Sequence, residues 1–237
     1  MRVLVANNYF YLRGGCERVM FNDIEALTSR GIEVIPFSAA DSDNVPTNYS
    51  EHFAPGADIR ATGLIQRIEA AGDAIHCRRT ADAFATLLDK TKPDVIHCHN
   101  VYGRLSTSII GVAKQRRIPI ALTLHDYKVI CPSYLMLKKG KPCSACIDGG
   151  YYRCAVNKCH KGQAAASVVY AIEAYWARLT GRYGAVSAFL CPSRFMADLL
   201  RQSGIDESRI VYHPNSVDAS CYRPSYRGNY VLSVGRL

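Results

Sequence analysis

The sequence predicts an α/β protein in which a parallel sheet carries helices on both faces. Short apolar runs, typical of buried strands, alternate along the chain with segments whose apolar residues recur at helical spacing. With 237 residues, of which 49% are hydrophobic and 21% charged, the chain can bury a sizeable core. Residues 126–162 interrupt the alternation and hold five of the ten cysteines. We therefore expect an α/β domain with a cysteine-rich insertion.

Each predicted strand is a short apolar run, and two of them begin next to a proline, Pro93 or Pro119. The predicted strands are residues 2–6, 32–38, 95–98, 119–124, 188–191, 210–213 and 229–234.

The helices follow from apolar residues at three- and four-residue spacing, as in Val19, Met20, Ile24 and Leu27, and Gly31 ends the first of them. Residues 39–63 contain no such spacing and are predicted to be irregular. The predicted helices are residues 16–29, 64–90 with an interruption near Gly72, 104–117, 163–183 and 193–203.

Charge and hydropathy limit the partners and the compartment. Lys and Arg outnumber Asp and Glu by 29 to 20, a formal charge of +9, which favours phosphates, nucleic acid or an anionic membrane surface. Few aromatic residues are interleaved with basic ones, so nucleic acid is the least favoured of the three. No apolar run approaches the ~20 residues that span a bilayer, and the N-terminus lacks a signal-peptide pattern. We expect a cytoplasmic protein with peripheral contact at the inner face of the membrane.

Ligands of a parallel α/β sheet bind at the carboxyl ends of its strands. Gly14 and Gly15 follow the first strand and precede a helix, where backbone N–H groups attract phosphate. A tight turn is the alternative interpretation. Glu17 and Glu25, spaced E-x7-E, are interpreted as solvated helix charges.

Histidines end two further strands. His125 and Asp126 follow one strand, and His125 is a candidate catalytic residue that could bond a sugar hydroxyl or act on a proton. The alternative is a core histidine that donates to a carbonyl. His97 and His99 lie on one face of another strand, without an obvious third residue to complete a metal site. His99 and Asn100 are predicted to line the cleft.

The cysteine cluster has metal-ligand spacing. Cys143-x2-Cys146 matches half of a structural zinc site, and Cys154-x4-Cys159 has a wider gap than usual. Four thiolates would close the site, so the zinc would be structural. Free thiols or labile disulfides are the alternatives.

Six segments, taken in order, resemble a known family. They are MRVLVANNYFYLRGGCERVM (1–20), PDVIHCHN (93–100), LTLHDYKVICP (122–132), PSRFMADLLRQSGI (192–205), HPNSVD (213–218) and YVLSVGRL (230–237). Together they resemble the N-terminal half of family 4 glycosyltransferases, which are retaining enzymes of the GT-B fold with two Rossmann-like domains. The insertion resembles that of a bacterial subgroup acting on cell-surface polysaccharides.

The resemblance implies a role for each matching position. Gly14, Gly15 and Arg236 match residues that approach the donor diphosphate, and His125 matches the cleft histidine that contacts the transferred sugar. His99, Asn100, Asp126 and Asn215 are expected in the cleft on the acceptor side. The family's own glutamate pair lies in the other domain, so Glu17 and Glu25 do not match it.

The implied reaction moves a sugar from a nucleotide-sugar to a glycan or lipid-linked acceptor, with retention and no catalytic cofactor. We expect residues 1–225 to be the acceptor-side domain and residues 226–237 to begin a donor-binding domain that continues beyond Leu237. The chain alone is then expected to be inactive. The alternatives are an acceptor-binding subunit of a split transferase and a zinc-bearing nucleic-acid module.

Overall fold

The computed structural model describes residues 1–58, 62–223, 225 and 227–233. The strands are β1 (Arg2–Ala6), β2 (Glu33–Phe37), β3 (Val95–Cys98), β4 (Ile120–Thr123), β5 (Leu137–Lys138), β6 (Lys141–Pro142), β7 (Ala188–Cys191) and β8 (Ile210–Tyr212). The helices are α1 (Gly15–Thr28), α2 (Leu64–Ile75), α3 (Arg78–Thr91), α4 (Ser108–Gln115), α5 (Tyr152–Val156), α6 (Ala164–Leu179) and α7 (Arg194–Gln202).

Six parallel strands form the main sheet, in the order β2-β1-β3-β4-β7-β8. This order confirms the predicted Rossmann-like α/β class. The chain moves outward from β1 to β2 and then crosses back to β3 on the other side of β1, so the order reverses between β1 and β3. Ala6 pairs with Cys98, which places the carboxyl ends of these two strands side by side. The reversal leaves a crevice there, where ligands of this fold bind.

Alternation along the strands produces a core on each face of the sheet. Val3 and Val5 point to one face and pack with Met20 of α1, whereas Leu4 and Ala6 point to the other. The second face carries the larger core, with buried residues from α3, α4 and α7. Helices thus cover both faces, as predicted.

Two helix predictions needed correction. The break in the segment 64–90 falls at His76 and Cys77, where the backbone is extended, and not near Gly72, which lies inside α2. A glycine inside an exposed helix costs only about 1 kcal/mol, so it need not end the helix. The predicted helix 104–117 begins only at Ser108, after a turn in which Ser106 has a positive φ of 61°.

The predicted strand 229–234 is wrong as far as the structure describes it. Residues 229–233 form no strand, and residue 234 lies outside the described residues. A strand needs a hydrogen-bonding neighbour, and no described strand pairs with this segment.

The insertion holds little regular structure. Within 126–162 the structure contains the two-residue strands β5 and β6, which form an antiparallel hairpin, and the five-residue α5. Among the described residues, no helix combines the length and apolar character required to cross a membrane.

Candidate functional site

Two asparagines join the carboxyl ends of β1 and β3. Asn7 Oδ1 accepts a hydrogen bond from the backbone N–H of Asn100 at 2.9 Å, and the backbone N–H of Asn8 donates to the Asn100 carbonyl at 2.7 Å. The Asn8 amide also donates to the Tyr102 carbonyl at 2.6 Å and accepts from the Leu105 N–H at 3.0 Å. Both asparagines are buried. They fix the floor of the crevice at the point where the strand order reverses.

The glycine loop borders this floor. Gly14 is the N-cap of α1, its backbone is extended, and no side chain caps the first turn. A Cβ added to Gly15 would meet no atom within 4 Å. Neither glycine has a positive φ, so neither position requires glycine for its backbone conformation. Open space beside a helix N-terminus is instead what an approaching anion requires.

Glu17 is not the solvated charge that its helical position predicted. It is only 5% exposed, and its Oε1 accepts a hydrogen bond from the Asn7 amide at 3.2 Å. The first turn of α1 lies against the end of β1, so Glu17 points into the protein, where an amide donor compensates its burial. Glu25 is exposed, as predicted.

Three histidine rings form a layer below the crevice. His99 Nδ1 lies 2.9 Å from His125 Nε2, and the two rings are stacked. The ring centroids of His97 and His99 are 4.2 Å apart, which confirms that they share a face, and His97 Nε2 bonds the Thr123 hydroxyl at 2.8 Å. Burial lowers the pKa of His97 and of His125 to about 4, and that of His99 well below its usual value. The three rings are therefore neutral at pH 7.

A carboxylate completes the group that the sequence left without a third member. Asp23 Oδ2 lies 3.8 Å from His99 Nε2, and one ligand atom each from Asp23, His97 and His99 lie within 4.8 Å of one another. Burial raises the pKa of Asp23, and the neighbouring His213 lowers it. Because His99 is neutral, the contact is not an ion pair. These three residues could hold a metal ion, and Asp23 was missed because it lies on α1, far from the histidines in sequence.

Asp126 lies beside His125 on the edge of the crevice. Its Oδ1 accepts a hydrogen bond from the Lys128 backbone N–H at 2.9 Å. Burial raises its pKa, and Lys128 opposes that shift through this bond and its charge. Asp126 thus presents a hydrogen-bond acceptor just after β4, and the backbone at the start of the insertion holds it in place.

A polar cleft of about 420 Å³ opens beside this edge. Arg13 and Arg104 both lie over the Tyr9 ring, with guanidinium carbons 4.3 and 4.8 Å from the ring centroid. Arg104 also pairs with Asp41 at 2.9 Å, and Tyr11 lines the same cleft. Aromatic faces beside arginines suit a sugar or a phosphate group. From the sequence, only the position of residues 9–13 after β1 pointed to this cleft.

Two of the predicted site residues stand apart from this group. Asn215 is exposed in the segment that follows β8, and that segment touches α1, where the Asn22 amide donates to the Ser216 carbonyl at 3.1 Å. Arg236 lies outside the described residues. The predicted zinc ligands lie in the insertion, around a small cavity of their own.

Solved structures with a similar chain course include the UDP-GlcNAc 2-epimerase of Methanocaldococcus jannaschii, at 13% identity and a TM-score of 0.46. Another is the UDP-GlcNAc 2-epimerase of Neisseria meningitidis bound to UDP-GlcNAc, at 12% identity and a TM-score of 0.47. Each match covers 89% of this chain, and 45% and 46% of those chains, so this chain spans less than half their length. A comparison with curated proteins gives no match.

The sequence model of Glycosyltransferase Family 4 matches residues 13–220. The match begins in the glycine loop and includes β3, β4 and the insertion, so it contains most of the crevice described above. On this match over most of its length, the chain belongs to glycosyltransferase family 4.

Proposed function

We propose that this chain forms the acceptor side and part of the donor diphosphate site of a retaining glycosyltransferase. The donor is a nucleotide-sugar, and the acceptor is a glycan or a lipid-linked glycan. One observation carries the proposal: in a family 4 chain, the glycine loop, the asparagine floor and the histidine layer meet where the strand order reverses.

The diphosphate is assigned to the N-terminus of α1. Its first turn is uncapped and Gly15 leaves open space, so backbone N–H groups can approach the phosphate oxygens. The same donors would stabilise the negative charge that develops on the leaving diphosphate, and Arg236 is proposed to add a positive charge. This arrangement needs no catalytic metal.

His125 is assigned to the transferred sugar. His125 Nε2 is occupied by its contact with His99, which also fixes the ring. The sugar hydroxyl is therefore assigned to the other ring nitrogen, His125 Nδ1. A neutral imidazole gives a directional hydrogen bond without adding charge to the cleft. Its contribution is orientation of the sugar, with Asp126, His99 and Asn100 holding the surrounding edge.

The acceptor is assigned to the cleft lined by Tyr9, Tyr11, Arg13 and Arg104. The two arginines favour an acceptor that carries phosphate or another anion, as lipid-linked glycans do. Exposed apolar residues on α2, Leu64, Ile65 and Ile68, together with the formal charge of +9, support contact with an anionic membrane during transfer.

The test uses the native gene product that contains this chain, with its intact mass measured. Labelled UDP-glucose, UDP-GlcNAc and GDP-mannose are offered with lipid-linked acceptors in anionic or zwitterionic vesicles. We expect transfer with retained anomeric configuration, faster on anionic vesicles, and a loss of roughly 100-fold in His125→Ala, since removing a group that orients or stabilises the transition state costs this much. His52→Ala, outside the crevice, is the control. Inversion, or full activity in His125→Ala, would contradict the proposal.

A further inference from the structure

Five thiols from distant parts of the insertion converge on one point. The cysteines that line a single cavity are Cys131, Cys143, Cys146, Cys154 and Cys159. None of them forms a disulfide. The cavity measures about 20 Å³, the space of one water molecule, so it can hold an ion but no organic ligand. The remaining lining is largely apolar, which leaves the sulfurs as its main ligand atoms.

The first pair of cysteines sits on a turn that metal sites use. The β5–β6 hairpin leads directly into Cys143, whose backbone N–H donates to the Met136 carbonyl at 2.8 Å. The next turn closes with a bond from the Ile147 N–H to the Ser144 carbonyl at 3.0 Å. A hairpin followed by C-x2-C brings two sulfurs to the same side of one turn.

The second pair is brought together by the end of a helix. Cys154 is fully buried in α5, and the backbone N–H of Cys159 donates to its carbonyl at 3.1 Å. Lys158 has a positive φ of 50°, the left-handed conformation that commonly ends a helix. This closure explains why a four-residue gap, unusual from sequence, still places both sulfurs at one cavity.

We propose that Cys143, Cys146, Cys154 and Cys159 bind one zinc ion and thereby hold the insertion in its folded form. Four thiols release their protons to solvent and ligate the ion as thiolates in a closed tetrahedral site. Among the described residues, three ligand atoms lie within 4.8 Å of one another only in the group of Asp23, His97 and His99. The cysteine sulfurs are therefore spaced more widely than in a closed zinc site. Closing the site on zinc therefore requires the four sulfurs to move inward across this cavity of about 20 Å³. Cys131 also lines the cavity, with its sulfur 3.3 Å from the Ser133 hydroxyl, but it belongs to neither of the two cysteine pairs.

A chain of aromatic contacts connects the zinc site to the edge of the crevice. His160, next to Cys159, lies between Tyr134 and Tyr170, with centroid distances of 5.9 and 4.5 Å. Lys128 lies over the Tyr170 ring at 4.2 Å, and its backbone N–H holds Asp126. Loss of the ion would therefore loosen the segment that follows the sugar-binding histidine. The site itself does not depend on the proposed transferase activity.

The test measures metal and thiols on the whole chain, purified without added metal or chelating resin. We expect about one zinc per chain and four thiols protected from a thiol reagent until zinc is released. Single serine variants at the four ligands should each lose most of the zinc. Cys131→Ser and Cys77→Ser, the latter at a fully buried cysteine outside the insertion, should retain it.

A second measurement covers variants that fail to fold. When zinc is removed from the unaltered chain with a chelator, hydrogen exchange should rise across 131–162 and stay unchanged in β1 and β3. Absence of zinc with all thiols reactive, disulfides in the purified chain, or iron with acid-labile sulfide would each overturn the proposal. Retention of zinc in Cys146→Ser would do the same.

Discussion

The carboxyl edge of the sheet and the cysteine-rich insertion meet at residues 125–128, yet different forces hold them. Parallel strands position the edge, and buried asparagines and histidines then bond across it. The insertion has only a hairpin of two two-residue strands and one short helix. Its shape therefore depends on side-chain contacts and on its cysteine thiols. Fold topology therefore preorganises the ligand crevice, whereas an irregular segment beside it needs specific side-chain links to keep its shape.

One such link is a buried ion pair that ties the start of the insertion to α6. Lys128 Nζ contacts Glu173 Oε2 of α6 at 2.5 Å, and both side chains are 3% exposed. Lys128 also donates to the Pro132 carbonyl at 2.9 Å, whereas Glu173 Oε1 is buried without a partner in the described structure. Removing one member of such a pair leaves an uncompensated buried charge.

We expect Glu173→Ala to lower the free energy of unfolding by about 3–5 kcal/mol, because Lys128 would remain buried and unpaired. The double variant Lys128→Met with Glu173→Leu should recover most of this loss. The measurement is urea unfolding. The exposed pair Arg116–Asp89 is the control, and Asp89→Ala should cost at most about 1 kcal/mol. Equal losses of unfolding free energy in Glu173→Ala and Asp89→Ala would contradict the expected effect of burial on the Lys128–Glu173 pair.

The second prediction concerns the edge alone and its response to pH. His97 and His125 have pKa values of about 4 in the folded chain because of burial, against an ordinary value of 6.5. Between pH 6.5 and 4 the unfolded chain binds protons that the folded chain does not, so stability falls as the pH falls. Each histidine accounts for up to about 3 kcal/mol of this loss.

Urea unfolding at several pH values between 7.5 and 4 measures the effect. His97→Gln should reduce the dependence by roughly a third, since one of the three histidines whose pKa is lowered in the folded chain is gone. His52→Gln, at a histidine away from the crevice, should leave the profile unchanged. A wild-type profile that is flat from pH 7 to 4.5 would contradict the neutral state of the histidine layer.

The carboxyl edge of the sheet and the insertion also differ in how much of their structure the sequence predicts. Strand and helix periodicity predicted the order of elements, and placed Gly14 at the start of the first helix and His99 and His125 after strands, because these are local patterns. Asp23 and the buried state of Glu17 escaped prediction, because they depend on how α1 packs against β1 and β3. In the insertion, spacing pointed to the cysteines, but only the structure shows that Cys131 lines the same cavity.

The smallest expected effect tests the anion site at the glycine loop. Gly15→Ala adds a methyl group that meets no atom within 4 Å, at a helical position without positive φ. The variant should fold normally and gain up to about 1 kcal/mol, since alanine loses less backbone entropy than glycine in a helix. The same methyl group would occupy the space assigned to the diphosphate, so binding of inorganic pyrophosphate should weaken.

Gly72→Ala is the matched control, because it lies inside α2 and its added Cβ also meets nothing within 4 Å. It should gain similar stability with unchanged pyrophosphate affinity by calorimetry. A fall in affinity confined to Gly15→Ala would separate the ligand effect from the helix effect. Equal pyrophosphate affinities for Gly15→Ala, Gly72→Ala and the unaltered chain would contradict the assignment of the diphosphate to the N-terminus of α1.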